Sequence, residues 1–310
     1  MSRILVTGAA GFLGSHLCDA LLAEGYEVIG MDNHISGKPE NLESAFYNDG
    51  FSYYEHDVTK FIHINQDLDA VMHLASLASP VFYQEYPIKT LKVGAIGTHK
   101  TLGLAREKDA TYFFTSTSEV YGDPELNPQS EDYRGNVDPY GPRSCYDESK
   151  RYGEALVRAY RDKHDLDVRV ARIFNTYGPR MRLDDGRVIP NFMKQALTGE
   201  DLTVYGDGSQ TRSFCYVDDM IDGLLALLES EVETPVNIGN TDERSINELA
   251  RLVIDVTQSE SDIVHKPLPP QDPEVRQPDI SKAQSELGWS PSVQLRDGLI
   301  RSIEYFKSQL

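Results

Sequence analysis

Tyr146 and Lys150 are the two residues whose types and spacing first suggest chemistry in this 310-residue chain. On a helix, side chains four residues apart lie on one face, so the phenol and the ammonium can approach the same reacting centre. A fixed cation nearby favours the phenolate and lowers the tyrosine pKa, which makes the phenol a better base near neutral pH. Because surface helices also show this spacing, the pair needs support from the rest of the chain.

A second polar stretch follows an apolar strand predicted at residues 112–114. Thr117, Ser118 and Glu119 come at the C-terminal end of this strand, and open α/β proteins bind their ligands at that edge of the sheet. We therefore assign these three side chains to catalysis rather than to an ordinary strand terminus. Thr117 would complete a set of hydroxyl, tyrosine and lysine that positions a substrate alcohol and orients the phenolate.

The N-terminal segment has the pattern of a dinucleotide-binding βαβ unit, with a buried strand at residues 4–6, a glycine turn and an amphipathic helix. Gly8 permits the tight turn, Gly11 lets backbone amides approach a pyrophosphate, and Gly14 lets the helix pack on the strand. Asp32 ends a second predicted strand. A carboxylate there accepts hydrogen bonds from an adenosine ribose and repels a 2'-phosphate, which favours NAD over NADP.

The composition excludes several classes of protein. Thirty Lys and Arg against 49 Asp and Glu give a formal net charge of -19, which opposes non-specific binding to nucleic acid or anionic membranes. The three cysteines are too few and too scattered for a disulfide framework or a metal cage. The sequence shows neither a membrane-spanning run nor a cleavable leader. We therefore expect a cytoplasmic protein with no metal, no nucleic-acid partner and no membrane partner.

The alternation of strands and helices predicts an α/β fold, a Rossmann-type doubly wound parallel sheet with a smaller, discontinuous α/β substrate-binding lobe. Residues 1–175 are the predicted NAD-binding domain, completed by about residues 213–240. Within that return, residues 213–217 are expected to form a strand of the main sheet. The loop-rich segment 176–212, together with residues 241–310, is the predicted substrate-binding domain.

The glycine spacing G-x-x-G-x-x-G and the Tyr146-x-x-x-Lys150 motif resemble the extended short-chain dehydrogenase/reductase superfamily. This resemblance implies NAD as the cofactor and a homodimer joined by long helices, which we predict at residues 88–106 and 146–163; helix faces alone are also consistent with packing on the sheet. The cofactor contacts implied by the resemblance are Gly8, Gly11, Phe12, Leu13, Gly14, Asp32, Asn33, Ser36, Gly37, Asp57, Val58, Leu74, Ala75, Ser76, Tyr146 and Lys150.

Segments within residues 175–212 match those with which this superfamily holds nucleotide sugars. Guanidinium groups suit a diphosphate because they bind its oxygens bidentately and keep their charge. Arg180 and Arg187 also fit surface ion pairs and are left unassigned. The implied substrate contacts are Lys92, Asn175, Asn191, Tyr205, Gln210, Arg212 and Arg276.

Residues 115–123, 127–133, 141–148 and 172–180 resemble the UDP-glucuronate decarboxylase family, also called UDP-xylose synthases. The most specific features are Ser118-Glu119 and Arg276, which follows a proline-rich loop at residues 267–273. Related epimerases commonly carry small hydroxyl residues at the first site, and 4,6-dehydratases carry an Asp-Glu pair. Gly94 departs from this family, which usually has asparagine there, so the helix bend and the proton-relay water held by that asparagine are not implied.

The resemblance implies a mechanism with UDP-glucuronate as the substrate. Tyr146, Lys150 and Thr117 would support reversible oxidation at C4 by NAD, giving a UDP-4-keto intermediate. Ser118, Glu119 and Arg276 would hold the carboxylate end during loss of carbon dioxide and protonation at C5.

Two alternatives remain open. A UDP-glucuronate 4-epimerase, or another nucleotide-sugar epimerase or dehydratase, would share the oxidation at C4 but keep the carboxylate. A non-catalytic NAD-sensing protein would share the fold, although such proteins usually lack the tyrosine and lysine that this chain carries.

Overall fold

The computed structural model describes residues 2–267 and 275–310 of the chain. Most of the proline-rich loop before Arg276 therefore lies outside the described residues. The strands are β1 (Arg3–Thr7), β2 (Glu27–Asp32), β3 (Phe51–Glu55), β4 (Ala70–His73), β5 (Thr111–Thr117), β6 (Val168–Ile173), β7 (Thr176–Tyr177), β8 (Leu202–Tyr205), β9 (Thr211–Ser213), β10 (Cys215–Tyr216), β11 (Val236–Ile238), β12 (Glu243–Ser245) and β13 (Ile263–Lys266). The α-helices are α1 (Phe12–Ala23), α2 (Glu43–Phe46), α3 (Pro80–Glu85), α4 (Pro87–Lys92), α5 (Thr98–Lys108), α6 (Ser144–His164), α7 (Val188–Thr198), α8 (Val217–Glu229), α9 (Ile246–Thr257), α10 (Ser281–Leu287) and α11 (Leu295–Ser308).

The main sheet has seven parallel strands in the order β11-β6-β5-β4-β1-β2-β3. The chain runs outward from β1 to β3, returns to β4 beside β1, and continues outward in the other direction. The strand order therefore reverses between β1 and β4, which is where open α/β sheets bind ligands. The predicted Rossmann-type doubly wound sheet is confirmed.

Two apolar cores lie on opposite faces of this sheet. Successive side chains of a strand point to opposite faces, so Leu5 and Val6 enter different cores, as do Phe113 and Phe114. Strand β4 is buried along its whole length because helices cover both faces of a parallel sheet. This packing fixes the C-terminal ends of the central strands along one edge of the sheet.

A smaller set of strands and helices follows β6. Strand β8 pairs in parallel with β13, and helices α7, α9 and α11 pack against one another beside them. A capping box formed by Ser245 and Glu248 begins α9. The division of the chain into a cofactor domain and a substrate domain stays a prediction.

The predicted return to the main sheet at residues 213–217 is wrong. Strand β9 pairs with β12, and β10 pairs with β7, both outside the main sheet. The edge beside β6 is instead taken by β11, whose three residues are all buried. β11 pairs with β6 over three residues, and the segment 213–217 is divided between two strands that pair elsewhere.

The two predicted long helices are present, and the first contains a π-helical turn at Val93–Gly97 between α4 and α5. Gly94 lies in this turn against α6. A Cβ at Gly94 would stand 2.9 Å from Ser149 Oγ and would overlap Ser149 Cβ. The widened turn, typical of π-bulges near functional sites, is therefore formed here without an asparagine at this position.

None of the helices in the described residues is both long enough and apolar enough to cross a membrane. The three cysteines are buried and unpaired. Burial raises the pKa of the Cys215 thiol well above its usual value, which makes this group a packing side chain rather than a nucleophile.

Candidate active site

A cavity of about 580 Å³ opens along the C-terminal edge of the main sheet. It begins over the β1 and β2 ends and continues past β5 and β6 toward α7 and β8. Of the site residues predicted from the sequence, those that line it are Gly8, Gly11, Phe12, Leu13, Gly14, Asp32, Asn33, Ser36, Val58, Leu74, Ala75, Ser76, Thr117, Ser118, Glu119, Tyr146, Lys150, Asn175, Asn191, Tyr205, Gln210, Arg212 and Arg276. Gly37, Asp57 and Lys92 do not line it.

The glycine turn forms one wall of the cavity. Gly8 has a φ of 73°, and its N–H donates to the Met31 carbonyl over 2.8 Å. A Cβ at Gly8 would stand 2.7 Å from the Ala75 nitrogen, and one at Gly14 would collide with the Gly8 carbonyl oxygen. No side chain caps α1 at Gly11, so the first N–H groups of this helix face the cavity without a side-chain acceptor. This wall fits the pyrophosphate of a dinucleotide.

Asp32 supplies a buried carboxylate at the end of β2. Its Oδ2 accepts a hydrogen bond from Ala10 N over 3.0 Å, and its Oδ1 accepts one from His34 N over 2.8 Å. Burial raises the pKa of this carboxyl, while the two backbone donors oppose that shift. Backbone donors hold the carboxylate in one orientation beside the glycine wall, which fits the ribose hydroxyls of NAD.

The three predicted site residues outside the cavity have other contacts. A Cβ at Gly37 would stand 2.9 Å from the Ala10 carbonyl carbon, so this glycine lets two loops pack closely. Asp57 accepts hydrogen bonds from Thr59 N and Thr59 Oγ1 at 2.9 and 2.8 Å. Lys92 is exposed at the end of α4. Their assignments to cofactor and substrate stay predictions.

Tyr146, Lys150 and Thr117 meet at the centre of the cavity. The Lys150 Nζ lies 5.9 Å from the centroid of the Tyr146 ring and donates a hydrogen bond to the Thr115 carbonyl over 2.7 Å. Thr117 caps the short 3₁₀ turn at Ser118–Tyr121 through a hydrogen bond from Glu119 N, over 3.2 Å. The helix spacing therefore brings the phenol and the ammonium together, as the sequence predicts.

The electrostatics of Tyr146 differ from the expectation. Burial raises its pKa to about 12, against the lowering effects of a hydrogen bond with Thr117 and of the Arg187 charge. Burial also lowers the pKa of Lys150 to about 7, against the charge of Glu154. The net shift of the Tyr146 pKa in the free chain is therefore upward, because burial penalises the phenolate, while the expected effect of the Lys150 charge on the phenol stays a prediction.

Glu119 lies between two guanidinium groups. It forms an ion pair with Arg276, and its Oε2 lies 2.5 Å from Arg143 Nη2. Burial opposes ionisation, yet the charges of Arg276 and Arg143 hold the pKa of Glu119 well below its usual range. Arg276 also donates to the Gly122 carbonyl over 3.0 Å, and its buried Nε has no hydrogen-bond partner among the residues that the structure describes.

Two residues that contact Glu119 and Tyr146 are not predicted from the sequence. Arg143 pairs with Glu119 from the first turn before α6, and Tyr83 stacks on the Tyr146 ring with centroids 5.3 Å apart. Both line the cavity, and within residues 2–267 and 275–310 the buried Tyr83 hydroxyl has no hydrogen-bond partner. Arg143 lies three residues before Tyr146, within the segment 141–148 that carries the family resemblance. This proximity is the feature of the sequence that could have indicated Arg143.

The far half of the cavity is lined by five residues that the family resemblance predicts as substrate contacts: Asn175, Asn191, Tyr205, Gln210 and Arg212. Asn191 donates to the Gly186 carbonyl over 3.2 Å, and Gln210 donates to the Tyr205 carbonyl over 2.8 Å. Arg212 Nη1 donates to the Thr211 carbonyl over 2.7 Å. These contacts orient polar side chains along a wall that begins at Asn175, directly after β6.

The two arginines left unassigned behave differently from each other. Arg180 forms an ion pair with Asp19, 2.6 Å long, which matches the alternative of a structural ion pair. Arg187 also forms an ion pair, with Asp185 over 3.4 Å, but in addition it donates to the Ala78 carbonyl over 2.8 Å and its charge acts on Tyr146. Arg187 therefore belongs to the electrostatic environment of the catalytic centre.

The chain is similar to named proteins over nearly its whole length. UDP-glucuronic acid decarboxylase 1 of Danio rerio is 50% identical over 308 residues, covering 99% of this chain and 73% of that protein. UDP-glucuronic acid decarboxylase 6 of Arabidopsis thaliana is 50% identical over 309 residues, covering 99% of this chain and 90% of the relative.

Solved structures share the fold of this chain. UDP-glucuronic acid 4-epimerase from Bacillus cereus, in complex with UDP-glucuronic acid and NAD, superimposes with a TM-score of 0.87 at 32% identity and 99% coverage of both chains. UDP-glucose 4-epimerase from Thermotoga maritima gives a TM-score of 0.90 at 30% identity, again over 99% of both chains.

The model of the NAD dependent epimerase/dehydratase family matches residues 4–239. The matched region includes the glycine wall, Asp32, the Thr117 turn and the Tyr146 and Lys150 pair. The chain therefore belongs to the NAD dependent epimerase/dehydratase family.

Proposed function

We propose that this chain is an NAD-dependent carboxy-lyase that converts UDP-glucuronate to UDP-xylose through a UDP-4-keto intermediate and regenerates its NAD. One observation carries the proposal: Glu119, held by Arg276 and Arg143, lines the same cavity as Tyr146 and Lys150. Relatives with 50% identity bear the name UDP-glucuronic acid decarboxylase.

Tyr146 removes the proton from the C4 hydroxyl of the glucuronic acid. Its pKa of about 12 in the free chain means that the phenolate must be favoured by positive charge in the assembled site. Lys150 lies on the same side of the ring, and Thr117 fixes the hydroxyl end. The glycine wall and Asp32 would hold NAD, whose chemistry when bound is reversible hydride transfer at C4.

The 4-ketone makes loss of the carboxylate possible. The C5–C6 bond breaks, its electron pair passes into an enolate at C4, carbon dioxide leaves, and a proton is added at C5. The Arg276 and Arg143 charges orient the carboxylate end. Glu119 carries no proton at neutral pH because its pKa is so low, so its role is to hold both guanidinium groups and to orient the water that delivers the proton.

The test is to incubate the purified chain, with bound NAD verified, with UDP-glucuronate. We expect carbon dioxide and UDP-pentose in equal amounts, without net consumption of NAD. The proposal fails when neither product forms.

A UDP-glucuronate 4-epimerase is the second candidate, because the Bacillus cereus enzyme of that name is 32% identical with a TM-score of 0.87. It would form UDP-galacturonate without gas release, which mass spectrometry of the products distinguishes. Tyr146→Phe separates either enzyme from an NAD-sensing protein. This substitution should abolish turnover in an enzyme, whereas the NAD affinity of a sensor should barely change.

We propose a homodimer joined through α4, the π turn and α6. This face carries large apolar side chains that are exposed in one chain, among them Ile88 at 69%, Leu91 at 45% and Tyr152 at 48%. Exposed apolar patches of this kind mark protein interfaces. Light scattering should give twice the chain mass, and Leu91→Glu should give the monomer. A monomeric unmodified chain would exclude this assembly.

A further inference from the structure

Gln129 is fully buried and directly contacts the segment that carries Arg276. Its N–H donates to the Gln277 carbonyl over 2.8 Å, and its Oε1 accepts from the Gln277 N–H over 3.0 Å. Its carbonyl accepts from the Asp279 N–H over 2.8 Å. The N–H of Gln277 belongs to the peptide bond that leaves Arg276, so Gln129 holds the backbone immediately after this arginine.

The other end of the Gln129 side chain is also fixed. Its Nε2 donates to the Leu126 carbonyl over 2.7 Å and to Asn127 Oδ1 over 3.2 Å. The amide thus bridges the 126–127 loop and the Arg276 segment, with an acceptor on one side and donors on the other. A buried amide satisfied on both sides adopts one orientation, because turning it over would leave buried groups unpaired.

Asn237 extends this contact to the turn that carries Glu119. Its Nδ2 donates to the carbonyls of Gln129 and Asp279, both over 3.0 Å. Its Oδ1 accepts from the Tyr121 hydroxyl over 2.8 Å, and Tyr121 ends the Ser118–Tyr121 turn. Hydrogen bonds therefore link the backbone beside Arg276 to the turn that presents Glu119.

We propose that Gln129 is a positioning residue that sets Arg276 against Glu119, and that it controls decarboxylation without acting on the oxidation at C4. This inference rests on the proposed function. Tyr146 and Lys150 are carried by α6 and Thr117 by β5, whereas within the described residues the Gln129 side chain is hydrogen-bonded to Leu126, Asn127 and Gln277. A misplacement of about 1 Å in a catalytic group costs on the order of a hundredfold in rate, so loss of this support affects the step that uses Arg276.

The test uses Gln129→Met, which keeps the side-chain length and removes the amide. In single turnovers of the NAD-loaded protein with UDP-glucuronate, absorbance of reduced nicotinamide reports oxidation at C4, and trapped carbon dioxide reports decarboxylation. We expect decarboxylation to slow by about tenfold or more, oxidation to change by less than about twofold, and reduced nicotinamide to accumulate.

Gln195→Met is the matched control. The Gln195 amide also bridges a backbone N–H and a side chain, both of Thr203, at 3.1 Å each. Its loss should leave the ratio of the two rates unchanged. A ratio in Gln129→Met equal to that of Gln195→Met overturns the inference, since a purely structural role slows both steps together.

Gln129→Glu keeps the test decisive when the methionine variant does not fold. The new carboxyl retains the acceptor for the Gln277 N–H, and once protonated it also donates toward the Leu126 carbonyl. We expect its decarboxylation rate, relative to oxidation, to recover as pH falls. A ratio independent of pH and equal to that of the unmodified chain overturns the inference. Absence of carbon dioxide from the unmodified chain overturns the proposed function itself, which is a different outcome.

Discussion

Glu119 forms an ion pair with the buried Arg276 although the two residues lie 157 positions apart in the sequence. Glu119 is presented by the turn after β5, at the edge of the main sheet, and Arg276 by a segment that follows β13. Arg143 approaches the same carboxylate from the start of α6. Three separate parts of the chain therefore meet at one carboxylate, and the fold must be complete before this charge cluster exists.

Removing the charge of Glu119 should affect both stability and decarboxylation. Glu119→Gln leaves the buried Arg276 and the partly buried Arg143 without their anion, and breaking a buried pair typically costs about 3–5 kcal/mol. We expect a clear loss in the free energy of unfolding and a decarboxylation rate lower by about a hundredfold. Urea unfolding and carbon dioxide release measure the two effects.

The control for this change is Glu148→Gln. Glu148 pairs with Arg151 at 3.5 Å on an open face where both side chains are 39% exposed, so its loss should cost no more than about 1 kcal/mol. Equal effects of the two substitutions would contradict a special role for the Glu119 cluster.

The buried ammonium of Lys150 should make stability depend on pH. Its pKa falls from 10.5 in the unfolded chain to about 7 in the fold, so the unfolded chain binds more protons between these values. The free energy of unfolding should therefore rise as pH increases from about 7 toward 10.5. In Lys150→Met this rise should be smaller, because other groups titrate alike in both proteins. Identical pH profiles for the NAD-free proteins would show that Lys150 titrates normally.

Gly94 and Ser149 should behave as a reciprocal pair. A side chain at Gly94 would overlap Ser149 Cβ, so Gly94→Asn should destabilise by about 1–3 kcal/mol through overpacking. Combining it with Ser149→Gly should restore part of that loss. Gly103→Asn on α5 is the matched control, since a Cβ at Gly103 meets nothing within 4 Å. Thermal unfolding of the unmodified chain, Gly94→Asn, Ser149→Gly and the double variant gives the coupling energy between the two positions. Additive effects of the two substitutions would count against the contact.

Asp32 should determine the preference for NAD. Asp32→Ala removes a carboxylate that Ala10 N and His34 N hold in place. Because hydrogen bonds to charged groups are typically worth about 1.5–3 kcal/mol, NAD affinity should fall by about tenfold or more, and discrimination against NADP should weaken. Calorimetric titration with both nucleotides checks this. Asp57→Ala offers a comparison, because Asp57 does not line the cavity; a similar loss there would assign that carboxylate to the cofactor as well.

Much of the site could be predicted because its signals are local. The glycine turn, Asp32 and the end of β5 each lie within a few residues of a strand, and parallel strands bring their C-terminal ends to one edge. The strand predicted at 213–217 failed because pairing depends on which edge is free, and β11 occupies that edge. Arg143, Tyr83 and Gln129 carried no local pattern that separates them from ordinary polar residues.

The sequence by itself determined the doubly wound sheet, the cofactor wall and the approach of Tyr146 to Lys150, because residue spacing on strands and helices sets these features. Tertiary structure decided the direction of the pKa shifts in that pair, since burial raises the pKa of Tyr146 and lowers that of Lys150. It also decided that Arg276 meets Glu119 and that Gln129 supports it. Desolvation and contacts between distant segments depend on the packing of the whole chain. Short sequence patterns therefore do not predict them.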